Sequence, residues 1–407
     1  MKFKFLGGAD EIGSLGLYIE EKNTRILLEY GITPTKPPKF PMDAPKMDAV
    51  FLTHSHLDHS GMLPYLTLKY SPPVYATPPT LDVTEILLRD SIKVMNSEGY
   101  SSPFENEDVD KLKAIMKPIS YNKKVYLDSL EIIPYNAGHI PGSAMYLIKN
   151  DSSILFTGDI QTIQTRLVTG CDYVESDILF IESTYAGKEH PPRDITEMRF
   201  LEKIEEILER KGKVIIPAFA VSRTQELMMV LQKLDMEYWI DGMSSKVNQI
   251  FASYGSYLRD AQEFKRSRKM ARVVRNKSDR KKALESGLVI TTGGMLEGGP
   301  VLYYLEQIKN DPKSGIIITG YQVEGTNGRM LLETGFVDIY GVKEKINAEV
   351  SVYDFSAHAG NSGLIEFIEK SKAHTVVLFH GENREALMTQ INDKNVILPK
   401  PGEEYEI

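Results

Sequence analysis

The sequence predicts an α/β protein in which one module is interrupted by another. Three textures along its 407 residues carry that reading. Up to about residue 185 the chain is a series of short apolar runs, each closed by polar or glycine residues. From about residue 193, amphipathic segments of helix length alternate with apolar strands. After about residue 340 the opening style returns, and Thr375-Val376-Val377-Leu378-Phe379 leads straight into His380. The expected units are residues 1–190 with 340–407, and an inserted unit at 191–339. A chain of this length exceeds what one core fills.

The elements follow in order. Met1-Lys2-Phe3-Lys4-Phe5-Leu6 alternates as an opening strand does and lacks the apolar core of a signal peptide. Arg25-Ile26-Leu27-Leu28, Ala49-Val50-Phe51-Leu52, Ile154-Leu155-Phe156 and Asp177-Ile178-Leu179-Phe180-Ile181 read as buried strands. Helical spacing covers 81–96 and 108–116. Pro34, Pro37, Pro38, Pro41 and Pro45 mark irregular loops, as does Ser71-Pro72-Pro73. In the inserted unit a helix at 195–211 precedes the strand Val214-Ile215-Ile216, and a helix at 222–234 follows it. Leu288-Val289-Ile290 and Ile316-Ile317-Ile318 continue an alternation that predicts a parallel layer.

Composition narrows the function classes. With 42% hydrophobic and 26% charged residues, the chain is neither disordered nor fibrous. No apolar run reaches the roughly 18–20 residues that span a bilayer, so no membrane role is expected. The single cysteine, Cys171, excludes an intrachain disulfide and points to a reducing cytoplasm. Cys171 and the lone Trp239 are expected to pack in the core. The net charge of −8 argues against a nucleic-acid partner, yet its distribution does not. Residues 259–282 hold eleven basic side chains, opposed only by Asp260, Glu263 and Asp279. Such a run is either a solvated helix face or a phosphate-binding surface.

The strongest local signal is His54-Ser55-His56-Leu57-Asp58-His59, directly after an apolar run. Neutral imidazole and carboxylate oxygen are both good zinc ligands, so this spacing suits a loop that wraps cations. His139, Asp159 and His380 each stand at a strand end. Singly, each reads as a capping or hydrogen-bonding residue; together they supply the missing ligands of two ions. His190 and His374 share no such pattern and are expected at the surface, with His190 a weak substrate contact.

His-x-His-x-Asp-His, with His139, Asp159 and His380, resembles the metallo-β-lactamase superfamily. The remaining motifs resemble its β-CASP nuclease branch. Glu182-Ser183-Thr184-Tyr185 matches that branch's first motif, Phe355-Ser356-Ala357-His358 its second and Phe379-His380-Gly381-Glu382 its third. Pro217-Ala218-Phe219-Ala220, Gly293-Gly294-Met295-Leu296 and Gly320-Tyr321-Gln322-Val323-Glu324-Gly325-Thr326 also look like its signatures. The resemblance covers almost the whole chain.

It implies an αββα sandwich with an inserted β-CASP domain, and two zinc ions per chain. One ion would be held by His54, His56, His139 and Asp159; the other by Asp58, His59, His380 and the bridging Asp159. The family usually has aspartate where this chain has Glu29, in Leu27-Leu28-Glu29-Tyr30-Gly31. That acid orients a ligand histidine, and the extra methylene is expected to shift its hydrogen bond and weaken the metal. Asp58 and Asp159 are implied in catalysis, with His358 as the acid that protonates the leaving 3′-oxygen and Glu182 orienting it. A water activated between the zinc ions would hydrolyse RNA to 5′-phosphate and 3′-hydroxyl ends.

His380 at the third motif favours RNA over DNA, and Ser356-Ala357-His358 resembles the polyadenylation-factor group. The closest likeness is to short archaeal members without KH modules. The reading leans to 5′→3′ exoribonuclease activity in RNA processing or decay, with a polyadenylation-factor-type endoribonuclease as the alternative and a non-catalytic scaffold behind both. Single-stranded RNA is the expected partner. A homodimer and a place in an RNA-processing complex follow by analogy. Candidate RNA contacts are Ser222 and Arg223, which open with Thr224-Gln225 as a capping box, then Arg266, Arg268, Arg272 and Arg329.

Overall fold

A computed structural model describes all 407 residues, which divide into two compact units. The first comprises Met1–Gln164, Val168–Glu189 and Ala357–Ile407; the second comprises Thr165–Leu167 and His190–Ser356.

The first unit is a sandwich of two seven-stranded sheets. One runs, in spatial order, Glu404–Glu406, Lys2–Gly7, Gly16–Glu21, Thr24–Leu28, Ala49–Phe51, Val74–Ala76 and Met116–Pro118. The other runs Asn395–Ile397, Thr375–Phe379, Ile178–Glu182, Ser153–Phe156, Ala144–Lys149, Leu130–Asn136 and Val125–Leu127. The opening alternation works as the strand period requires: Phe3 and Phe5 turn into the core while Lys2 is exposed. Between the sheets they meet Phe156, Phe180 and Phe379. Each such side chain, fully buried, contributes about 1.5–3 kcal/mol. On the outer face of the first sheet, Leu27, Val50 and Leu52 pack on Leu81, Leu88 and Ile92 of the helix Pro78–Ser97. On the outer face of the second, Leu155, Leu179 and Leu378 pack on Leu364, Phe367 and Ile368 of the helix Asn361–Ser371. The layers are therefore α, β, β, α. Ile178–Glu182 and Thr375–Phe379 are buried along their whole length, which explains why they read as unbroken apolar runs.

The second unit is a six-stranded, wholly parallel sheet in the order Ala271–Val273, Tyr238–Asp241, Leu288–Thr292, Val214–Ala218, Gly315–Ile318 and Glu349–Val352. Helices Arg193–Glu209 and Arg223–Leu231 cover one face, and Pro300–Ile308 and Asn327–Thr334 the other. This unit extends to Ser356 instead of ending at 339, because Glu349–Val352 is the edge strand of its own sheet.

Cys171 and Trp239 are buried as expected, and burial pushes the Cys171 thiol up to about 12. The strand Glu404–Glu406 has no counterpart in the sequence reading. It pairs with Lys2-Phe3-Lys4 and stacks Tyr405 on Phe3. No helix is long and apolar enough to cross a membrane.

Candidate active site

The sheets bring the chemistry-bearing residues to one edge of the first unit. Ser153–Phe156, Ile178–Glu182 and Thr375–Phe379 are mutually parallel, so their carboxyl ends coincide. Asp159 follows the first of these strands and Glu182 ends the second. Glu182 pairs in register with Phe379, which sets His380 just beyond it. In the facing sheet Thr24–Leu28 and Ala49–Phe51 are also parallel, and deliver Glu29 and His54. Asp58 and His59 lie in the single helical turn Leu57–Ser60. That turn is clamped from the backbone: Leu15 N–H donates to the Asp58 carbonyl at 2.9 Å, and Tyr30 N–H to the His59 carbonyl at 2.7 Å. Only glycine fits at 31, since a Cβ there would lie 1.7 Å from the Asp58 carbonyl oxygen.

His54, His59 and His139 each have one ring nitrogen tied to the protein and the other aimed at a common centre. His139 Nδ1 lies 2.9 Å from the Ala357 carbonyl oxygen, which can only accept, so the proton is on Nδ1 and Nε2 is a bare lone pair. His59 Nδ1 likewise gives its proton to Glu29 Oε2, 2.8 Å away. His54 Nδ1 meets Thr53 Oγ1 at 3.0 Å. Toward the centre, His54 Nε2 and His139 Nε2 approach His56 Nδ1 at 3.0 and 3.3 Å. They stand 3.5 and 3.7 Å from Asp159 Oδ2. A second group is formed by His59 Nε2 and His380 Nε2, 3.8 and 3.6 Å from Asp58 Oδ2. His59 also lies 3.4 Å from Asp159 Oδ2, and His380 3.8 Å from Asp159 Oδ1. His59 Nε2 and Asp159 Oδ1 are buried without any hydrogen-bond partner. Lone pairs facing carboxylate oxygens repel unless a cation lies between them. The donor set therefore fits metal, in one group of His54, His56, His139 and Asp159 and another of Asp58, His59 and His380, with Asp159 also facing the second.

Electrostatics point the same way for four of the rings, and His59 stands apart. Burial lowers His54 and His139 well below the usual imidazole range, His56 to about 4, and His380 as well. These rings are neutral at physiological pH, as ligands must be. Burial opposes charge on His59 too, but Asp159, Asp58 and the bond to Glu29 outweigh it and raise the ring. Burial would raise Asp159, yet His59, His358 and His380 hold it well below the carboxylate range.

Beside this cluster stands a catalytic-type pair. His358 Nδ1 lies 3.0 and 3.1 Å from the two oxygens of Glu182, which is fully buried and also accepts from Ile160 N–H at 2.8 Å. His358 Nε2 faces Asp159 Oδ2 at 3.8 Å. The His358 side chain keeps 21% exposure and Asp58 25%, against 2% or less for His54, His59, His139, Asp159 and His380. Burial lowers the His358 pKa, but Glu182 first, then Asp159 and Asp58, bring it up to about 9.

Glu29 makes the bond that its extra methylene was expected to disturb. Its second oxygen accepts from Thr53 N–H at 2.6 Å, so one carboxylate fixes both His59 and the strand end before His54. Three contributors escaped the sequence reading: Thr53, the Ala357 carbonyl, and Gln161, whose Nε2 donates to the His358 carbonyl at 2.7 Å. His374 is exposed, and His190 is half-buried, with its Nδ1 2.7 Å from Asp354 Oδ2 and its side chain 15% exposed.

In the second unit, Ser222 does not cap its helix. It sits at φ +67° and its side chain makes no cap hydrogen bond, while Gln225 turns instead to the Ala220 carbonyl and Asn248. Arg272 is tied to Glu237 and Arg329 to Glu333, while Arg266 and half-buried Arg268 form no ion pair.

Three family models match the chain: a metallo-beta-lactamase superfamily domain over 18–184, a Beta-Casp domain over 224–331, and a Zn-dependent metallo-hydrolase RNA specificity domain over 343–399. A protein of Methanocaldococcus jannaschii named "Probable RNase MJ4" is 38% identical, over the full length of both chains. The chain belongs to the β-CASP branch of the metallo-β-lactamase superfamily. Further β-CASP relatives are RNase aCSPSF2 of Saccharolobus solfataricus, 33% identical over 99% of this chain and 85% of that one, and the transcription termination factor FttA of Methanococcus maripaludis, 33% identical over 94% and 67%. A crystal structure of a protein of unknown function from Enterococcus faecalis has the same fold, at TM-score 0.64 and 14% identity over 99% of each chain.

Proposed function

We propose that this β-CASP protein is a metal-dependent ribonuclease that hydrolyses RNA phosphodiester bonds to 5′-phosphate and 3′-hydroxyl ends. The observation that carries the proposal is the set of bare imidazole nitrogens and carboxylate oxygens converging on Asp159, with the Glu182–His358 pair at its open side. Relatives that align over most or all of the chain bear the name RNase, and one matched domain is described by RNA specificity. In this reading His54, His56, His139 and Asp159 hold one zinc ion, and Asp58, His59, His380 and Asp159 hold a second. Two ions so placed supply Lewis acidity, which lowers the pKa of water and neutralises charge on a phosphate oxygen.

The chain's own residues do the rest. Glu182 accepts the Nδ1 proton of His358, fixing the ring so that Nε2 faces the cluster. Glu182 also raises the pKa of that ring, which favours a proton on Nε2 that can be passed to the departing ribose 3′-oxygen. Asp58, the most exposed acid of the cluster, faces the solvent side from which water arrives.

The 5′→3′ exonucleolytic direction, a homodimer and membership of an RNA-processing or decay complex rest on the family resemblance. The single buried cysteine supports work in the cytoplasm. The basic residues of 259–282, with Ser222 and Arg223, are the proposed RNA contacts. A time course with zinc-loaded protein on RNA bearing a 5′-monophosphate, a 5′-triphosphate or a protected 5′ end tests the whole reading. Mononucleotides released only from the 5′-monophosphate substrate mean exonuclease; internal fragments from all three mean endonuclease. No product from any of them, with metal bound, would leave the scaffold.

A further inference from the structure

The geometry points to a phosphodiester-binding groove built wholly within the second unit and centred on Arg268; this deepens the ribonuclease reading and rests on it. The groove lies between the helices Ser244–Ser253 and Ala261–Met270 and the edge strand Ala271–Val273. A cavity of about 530 Å³ there is lined by Ser245, Lys246, Gln249, Arg268 and Arg275, among others. A second cavity, of about 290 Å³, shares Arg268 and adds Lys265.

The charge of this groove is uncompensated. Elsewhere in the basic segment, Arg259 pairs with Glu263, Arg272 with Glu237, Arg280 with Asp241 and Lys282 with Asp279. Those cations are spent on the fold. Lys246, Lys265, Arg268 and Arg275 form no ion pair and line the two cavities, whereas Arg266, Lys269, Lys277 and Lys281 are also unpaired but line neither. The helix dipole accounts for Arg268, which lies in the last turn of its helix, but not for Lys246. Lys246 stands in the first turn of Ser244–Ser253, a turn with no acidic residue, where a cation is disfavoured. Two helix ends and the loop after an edge strand thus aim like charges into one space, an arrangement that an anion stabilises.

RNA suits this space better than an acidic peptide. The exposed Gln249 amide lies among the cations, and the Ser245 hydroxyl, which donates to the Gly242 carbonyl, keeps its lone pairs, so a ribose hydroxyl or base edge finds a donor and an acceptor beside its phosphate. The reacting residues all lie in the first unit. The groove therefore contributes binding of the strand and not chemistry.

The test is anisotropy titration of zinc-loaded protein with a cleavage-resistant 2′-O-methyl RNA of about 20 nucleotides, from about 50 to about 200 mM salt. The variant combines Lys246→Ala, Arg268→Ala and Arg275→Ala, all at exposed or half-buried positions. Removing three phosphate contacts should weaken binding about tenfold and flatten the log–log salt slope by about 2. On cleavable RNA the same variant should raise KM about tenfold and leave kcat unchanged. Unchanged affinity and slope in a variant with wild-type circular dichroism would overturn the groove, whether or not the protein cleaves RNA. Wild-type protein that binds with the expected slope yet never cleaves would sink the ribonuclease reading alone. Polyglutamate of matched charge that displaces the RNA as readily as unlabelled RNA would also overturn it, in favour of an acidic protein partner.

Discussion

At the scale of single residues, the site is a set of paired roles in which one atom is anchored and its neighbour is free to act. His358→Ala should retain its metal by elemental analysis and lose about 10²–10⁴ in cleavage rate, the usual contribution of a positioned acid. Wild-type rates in that variant would remove His358 from the mechanism. The sign of the pH dependence follows from the raised pKa. In the proposed mechanism protonated His358 is the active form, so the rate should hold below the pKa and be lost as pH rises through it, at or below about 9 because bound cations disfavour imidazolium. Glu29→Asp restores the residue common in the family, but in this chain it retracts a carboxylate that reaches both His59 and Thr53. Zinc affinity should fall about tenfold, read by competition with a chromophoric chelator. The His-x-His-x-Asp-His run was legible because its ligands are neighbours in sequence. Thr53 and Gln161 were not, since serving through a hydroxyl or an amide leaves no pattern, and the Ala357 carbonyl is available to any residue type.

At the scale of elements, loops at the carboxyl ends of parallel strands do the positioning, and their backbone bonds set the tolerances. Gly31→Ala places a methyl group against the Asp58 carbonyl and must displace the turn Leu57–Ser60. It should cost about 1–3 kcal/mol in a denaturant titration and reduce zinc occupancy, both at once. Loss of stability with full occupancy would separate the turn from the metal centre. Long, fully buried strands such as Ile178–Glu182 announced themselves as apolar runs. Glu404–Glu406 did not, because a three-residue edge strand is exposed on most of its surface and carries no run. The end of the inserted unit was missed for a related reason: Glu349–Val352 is a half-exposed edge strand that mixes glutamate, serine and valine. Ser222 shows the converse, a capping pattern in sequence whose side chain makes no cap hydrogen bond.

At the scale of the whole molecule, metal binding and charge distribution are the two properties that reach beyond one site. A chelator leaves lone pairs and carboxylates facing one another, so the metal-free protein should melt earlier. At free zinc one hundred times its dissociation constant the stabilisation is about 2.7 kcal/mol per site. An unchanged melting temperature after chelation would show that the converging donors bind no cation. The net charge of −8 misdescribes this protein, because cations that matter for a polyanion are those without carboxylate partners. Pairing is invisible in a composition.

The sequence by itself determined the family, the α/β class, the interrupted order of the modules and the candidate donor residues. Each of these is written in local spacing or in apolar periodicity, which survive without a fold. Only the tertiary structure decided which nitrogen of His139 is free, that Asp159 faces both groups, and that Glu182 holds His358 beside them. It also decided which arginines are neutralised and which face a groove. Those outcomes depend on distances between atoms far apart in the chain, and distance is what folding creates.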